Sequence, residues 1–228
     1  MSDRPPSTDA AVLPARERRR RNREQMVAAI LDAARAVMRE RGVADLSLRE
    51  VARRVSVQAP SLYEYFPSKA ALYDALFTLG FRLFKARLED EAMSAVSFWD
   101  FLRANFEVYL GFGREHQELY QLLFEHPVPG FVPSGASMGE NEQLLTNFTG
   151  RFAAAIESGE IAPGVSAAQA RDLTIAMIHG ITAQHLANDA AADPDGGRYG
   201  GLIEPALALF RAAWTTAAPG SAPNTERR

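Results

Sequence analysis

The chain has 228 residues, 47% of them hydrophobic and 23% charged, and it has no cysteine. These proportions belong to a globular protein with a sizeable core, and they exclude disulfides, thiolate metal sites and a cysteine nucleophile. The net charge of −3 hides a division: residues 1–85 carry 16 basic against 10 acidic side chains, whereas residues 86–228 carry 9 against 18. A basic first third suits a polyanionic surface, although an arginine-rich tail gives the same count, and six of the eight residues from Arg16 to Arg23 are arginine. No run of about 18 apolar residues marks a membrane span. No apolar leader precedes the arginines, so a cytoplasmic, non-membrane protein is expected.

Residues 1–21, with Pro5, Pro6, Pro14 and small polar side chains, read as a disordered basic arm. A helix is predicted from Asn22, with Ile30, Ala33, Ala34, Val37 and Met38 on one face and Gly42 at its C-terminus. Ser47 and Glu50 have the spacing of a capping box, Leu46 and Val51 that of a hydrophobic staple, and the next helix buries Leu48, Val51, Ala52 and Val55. Only Ser56, Val57 and Gln58 separate it from a third helix. Pro60 is tolerated in a first turn alone, so that helix starts near Ala59, and Pro67 ends it. Ser68 can cap a fourth helix carrying Leu72, Ala75, Leu76 and Leu79. Further helices are predicted over 97–111, 114–124, 139–158, 166–187 and 201–216, with Gly- and Pro-rich separators over 126–137, 159–165 and 189–200. No segment alternates with period two. The fold class is all-α: a three-helix N-terminal domain over 22–67, a larger helical domain over 68–217, and a disordered tail over 218–228.

Two short helices joined by a three-residue turn form the pattern of a helix-turn-helix, whose second helix enters the DNA major groove. Gln58, Ala59, Pro60 and Ser61 form its leading edge. Gln58 can pair with an adenine, Ala59 can touch a thymine methyl, and Ser61 can bond a base or phosphate. The strings Leu46-Ser47-Leu48-Arg49-Glu50-Val51-Ala52 and Ser61-Leu62-Tyr63-Glu64-Tyr65-Phe66-Pro67-Ser68-Lys69, with Leu72 beyond, resemble the DNA-binding domain of the TetR (tetracycline repressor-like) family. The resemblance covers roughly residues 23–75, with Ser56 where the family often has glycine. It implies an all-α homodimer whose larger domain holds a small-molecule effector and the dimer contact. It also implies a DNA-contacting set of Ser47, Gln58, Ala59, Pro60, Ser61, Tyr63, Tyr65 and Lys69, extended by Arg18, Arg19, Arg20 and Arg21 of the arm. The function expected is a repressor released from a palindromic double-stranded operator by a small apolar or amphipathic ligand. An activator, or a dimer that responds to a protein partner, stands as the alternative.

Residues of the larger domain say less. Trp99, Phe106, Tyr109, Tyr120, Phe124, Phe131, Met177 and His179 are candidates for a ligand pocket, although aromatics at helical spacing mostly serve as core. Ala176, Gly180, Ala183 and Ala187 form a stripe of small residues. Glycine within a helix costs about 1 kcal/mol relative to alanine, so close helix–helix approach is expected there. With Ala206, Phe210 and Ala213 of the last helix, this stripe is the candidate dimer interface implied by the family. His179 and His185 are offset by about 240° around one helix, and no metal-ligand spacing is present. No nucleophile elbow, P-loop or dinucleotide fingerprint occurs, so neither a cofactor nor catalysis is expected.

Overall fold

A computed structural model of the protein describes residues 14–92, 95–193 and 197–215. The expected tail over 218–228 and the first 13 residues of the expected arm lie outside the described residues. Ten helices follow in chain order among them.

Helix α1 spans Ala15–Arg41, seven residues earlier than the apolar pattern indicated. Arg16 and Arg18–Arg21 are therefore the first turns of a helix and not a disordered arm. Arginine is a good helix former without any core to face. Arg20 lies between Glu17 (4.0 Å) and Glu24 (3.7 Å), the i±3/4 spacing that supports exposed helix. Gly42, at φ +90°, stops the helix with its N–H on the Met38 carbonyl (2.8 Å). Helices α2 (Leu48–Arg54) and α3 (Ala59–Leu62) follow. After Leu62 the chain tightens into i→i+3 bonds through Tyr65, so the predicted third helix to Phe66 is one α-turn plus a tight continuation.

Helix α4 (Lys69–Ala92) is shared between the two parts of the molecule. Its Leu72, Tyr73 and Leu76 pack in one core with Ile30, Val37, Val51 and Leu62, while Phe77, Phe81 and Phe84 extend that core toward Phe112, Tyr120 and Leu123. The Tyr73 hydroxyl donates to the Val43 carbonyl (2.6 Å), tying α4 to the turn after α1. Helix α5 (Phe98–Glu115) begins at a capping box formed by Ser97 and Asp100 and continues past Gly111, where it was expected to end. Helix α6 (Gln117–Tyr120) runs into a π-helical turn over Gln121–Glu125.

Helix α7 (Gly135–Glu157) starts a turn before the expected Gly139. The reason is Asp74 of α4, which accepts from the N–H and hydroxyl of its N-cap Ser134 (2.8 and 2.9 Å). Helices α8 (Ala167–Asn188), α9 (Gly197–Gly200) and α10 (Ile203–Thr215) complete the fold, α9 lying in a stretch expected to be a separator. A second core joins Phe98, Phe106, Phe152, Ile178, Leu207 and Trp214. No helix among the described residues is long and apolar enough to cross a membrane.

Candidate nucleic-acid interface and adjoining cavity

The turn between α2 and α3 is built from local chemistry. Ser47 caps α2 by accepting the Glu50 N–H (3.4 Å). Glu50 turns its carboxylate to Arg53 (2.7 and 3.0 Å) and Arg54 (3.1 Å) instead of back to the cap. Hydrogen bonds from Arg53 and then Arg54 hold its pKa down to about 2. Ser56 stands at φ +56°, a left-handed conformation that lets Val57 N–H reach the Ala52 carbonyl (3.0 Å). Gln58 is the N-cap of α3 but makes no side-chain cap, so its exposed carboxamide is uncommitted.

Gln58 and Pro60 are exposed and Ala59 and Ser61 half-buried along one edge, while Tyr63 is 51% exposed. Tyr65 is half-buried beneath the Arg23 guanidinium (5.1 Å from the ring centroid), which also donates to the Glu64 carbonyl (3.2 Å). Lys69 donates to the Ala44 carbonyl (3.1 Å), which fixes its ammonium at the start of α4 beside the Ser68 cap. Arg18–Arg21 project from the exposed first turns of α1. Arg41, Arg49 and Arg53 line a shallow concavity shared with Ser47, Gln58 and Pro60. Arg49 and Arg53 are absent from the set inferred from sequence, although their i, i+4 spacing opposite the Val51–Val55 stripe was a readable signal.

A charged cluster joins this domain to the larger one. Glu118 of α6, its side chain 1% exposed, accepts from Arg35 (2.8 Å) and Arg39 (3.0 Å) of α1. Arg35 also donates to Nδ1 of His116 (3.0 Å), which requires a neutral ring bearing its proton on Nε2. Burial, then the Arg35 charge, keeps the His116 pKa low, in agreement with that tautomer.

Beyond the cluster, a cavity of about 250 Å³ opens between α4, α5, α7 and α8. Phe81, Phe84, Leu88, Phe101, Leu144, Phe148 and Ile175 form much of its wall, with Asn105, Asn147, Arg151 and Glu89 as polar members. Of the pocket residues inferred from sequence, Tyr109 and Phe124 line it. Tyr120 and His179 form the layer behind: the Tyr120 hydroxyl meets His179 Nδ1 at 3.1 Å, and the imidazole packs on Phe124 (4.9 Å) and Tyr109 (5.1 Å). Burial lowers the His179 pKa and raises those of Tyr109 and Tyr120. The remaining four lie elsewhere. Trp99 stacks on Trp214 under Arg211, Phe106 is buried near Phe210, Phe131 packs on Tyr73 and Phe77, and Met177 backs the second core.

The small-residue stripe divides in the same way. Ala176, Gly180 and Ala187 are exposed on α8 and Ala183 is half-buried, while Ala213 is exposed on α10. A Cβ at Gly180 would meet nothing within 4 Å, so packing inside the subunit does not account for this glycine. Ala206 (3% exposed) and Phe210 (7%) instead face the subunit core, because Phe210 stacks on Trp214 at 4.4 Å. The exposed apolar residues nearby are Leu173 on α8 and Leu209 on α10.

The family model described as bacterial regulatory proteins, tetR family, matches residues 30–76. The HTH-type transcriptional regulator Rv1816 of Mycobacterium tuberculosis is 30% identical over 150 residues, 63% of each chain. The HTH-type transcriptional repressor KstR of the same organism is 32% identical over 148 residues, 64% of this chain and 61% of KstR. The chain thus spans under two thirds of the length of these relatives. Among solved structures, AibR in complex with isovaleryl coenzyme A and operator DNA superposes with a TM-score of 0.63 at 19% identity, covering 80% of this chain and 96% of AibR. Residues 30–76, which match the tetR-family model, contain the α2–turn–α3 unit and the start of α4, and they are set on a helical body with the same overall arrangement as AibR.

Proposed function

We propose that the protein is a sequence-specific DNA-binding transcriptional repressor, acting as a homodimer on a palindromic operator and released by a small apolar or amphipathic ligand. The observation that carries this reading is the uncommitted polar edge of Gln58, Ser61 and Tyr63 on a rigidly braced helix-turn-helix. Base edges are read by such residues at the N-terminus of the recognition helix. Tyr63, Tyr65, Lys69 and the arginines of α1 contact phosphate, and Ser47 lies beside them on the α2 cap. The cavity supplies the effector site; AibR, which has a similar fold, is solved in complex with isovaleryl coenzyme A and operator DNA. Ligand pressure on Phe124 passes through the π-turn to Glu118, and from there to Arg35 and Arg39 of α1. Exposed small residues on α8, with Ala213 and Leu209 on α10, supply the face against a second copy.

The test is binding to the DNA upstream of the gene, compared with random DNA, across a range of salt. Specific, salt-sensitive binding is expected. Tyr63→Ala with Lys69→Ala should weaken it at least tenfold, because each removed phosphate contact lowers affinity, and loss of the Lys69 charge should also flatten the salt slope by about one. Equal affinity for both DNAs would sink the proposal.

A further inference from the structure

Arg151 of α7 sits on the wall of the cavity with its guanidinium 4.5 Å from the centroid of the Phe101 ring. No ion pair is formed by Arg151 among the described residues, although residues 86–228 carry 18 acidic side chains against 9 basic. The neighbouring arginine, Arg171, is committed to Asp172 (2.7 Å) and Thr149 (2.8 Å). Glu89, the acidic residue on the same wall, has Lys85 at 3.8 Å. Arg151 is thus an exposed cation at the edge of an aromatic hollow, in a domain otherwise rich in carboxylates. Ring contact leaves the edge of a guanidinium free for bidentate pairing with a carboxylate or phosphate.

The hollow is also of modest size, although one side opens to solvent. About 250 Å³ corresponds to roughly eight groups of the volume of a water molecule or methylene, at about 30 Å³ each. That is below the range of about 300–1,000 Å³ common for drug-sized ligands. Resting on the ligand-released regulator of the preceding section, we propose that the effector is a medium-length amphipathic acid. Its apolar body of about eight carbon-sized groups lies among Phe81, Phe84, Phe124 and Phe148, and its anionic head pairs with Arg151. A free carboxylate and the phosphates of a thioester carrier both supply such a head.

Calorimetric titration of the full chain with butanoate, octanoate, palmitate, octanol and octanoyl-CoA tests this. Octanoate should bind about tenfold more tightly than octanol, the factor expected of one charge-assisted contact at an open site, and more tightly than butanoate or palmitate. Arg151→Gln should erase the preference of acid over alcohol, and Arg151→Lys should keep part of it. Octanoyl-CoA binding in place of octanoate, with the same Arg151 dependence, upholds the anionic head and makes the thioester its source. Octanol equal to octanoate, palmitate equal to octanoate, no binding of either octanoyl compound, or an Arg151→Gln protein that binds as the parent does each overturns it. Affinity for the upstream DNA is measured on the same samples. Specific DNA binding without acid binding rejects the ligand assignment alone, and acid binding without DNA specificity rejects the regulator reading alone.

Discussion

Ser56 shows how one backbone angle sets the edge proposed to meet DNA. Its φ of +56° aims the chain from α2 into α3, a conformation that glycine adopts without a steric penalty and β-branched residues adopt poorly. Ser56→Gly is therefore expected to raise the unfolding free energy by up to about 1 kcal/mol, and Ser56→Val to lower it by about 1–2 kcal/mol. The shift in urea midpoint reads both. Glu50 belongs to the same scale. Its low pKa, near 2, comes from Arg53 and Arg54, so its contribution to stability is present above the ordinary carboxylate value and fades as pH falls toward 2.

Among the elements, the segment from α6 through the π-turn, like α4, touches both the N-terminal helices and the cavity. Phe124, on the π-turn, lines the cavity, and Glu118, one and a half turns earlier, is clamped by α1. Single π-turns are energetically inferior to α and recur at functional sites. Gly80 of α4 lies so close to Leu123 that a Cβ there would come within 2.5 Å of that side chain, so movement of the π-turn is felt by α4 as well. Glu118→Gln keeps the shape but removes the buried charge that Arg35 and Arg39 share. It should cost about 1–3 kcal/mol of stability and reduce the factor by which ligand lowers operator affinity. The same factor in parent and variant would show that the signal travels by another route.

For the molecule as a whole, acidification and self-association are the informative measurements. Burial lowers the pKa of His116, His179 and His185, and both ring nitrogens of His185 are buried without a hydrogen-bond partner. The folded chain therefore binds protons at lower pH than the unfolded chain, in which histidine has its ordinary value of 6.5. Stability is at its full value above that pH and falls as pH drops from 6.5 through the folded values. Urea unfolding at neutral and mildly acidic pH should show this loss, and His185→Leu should make it shallower. Gly180 has open space around it and exposed small residues on the same helix, the composition of a surface at which another helix can approach closely. Gly180→Arg should convert dimer to monomer in sedimentation experiments while leaving helix content intact. A dimer that survives would place the contact elsewhere.

Much of the N-terminal part was legible in sequence because its determinants lie within a few residues of one another. Ser47 caps its own helix, Gly42 ends one, Pro60 restricts where the next begins, and the Val51–Ala52 stripe has a single buried side. The helical character of Arg16–Arg21 was not legible through apolar periodicity, since a fully solvated helix has no buried face to announce it. In the larger domain the same aromatic periodicity describes both the core and the cavity. Phe106 and Tyr109, one turn apart on α5, end respectively in the second core and on the cavity wall. Arg151 and Glu118 acquire their roles only from partners on other helices, or from the lack of them. Local backbone chemistry thus determined the helices and the exposed edge of α3, whereas the cavity, the α1–α6 clamp and the inward turn of Phe210 depend on how close-packed helices fill space, which the tertiary structure alone decides.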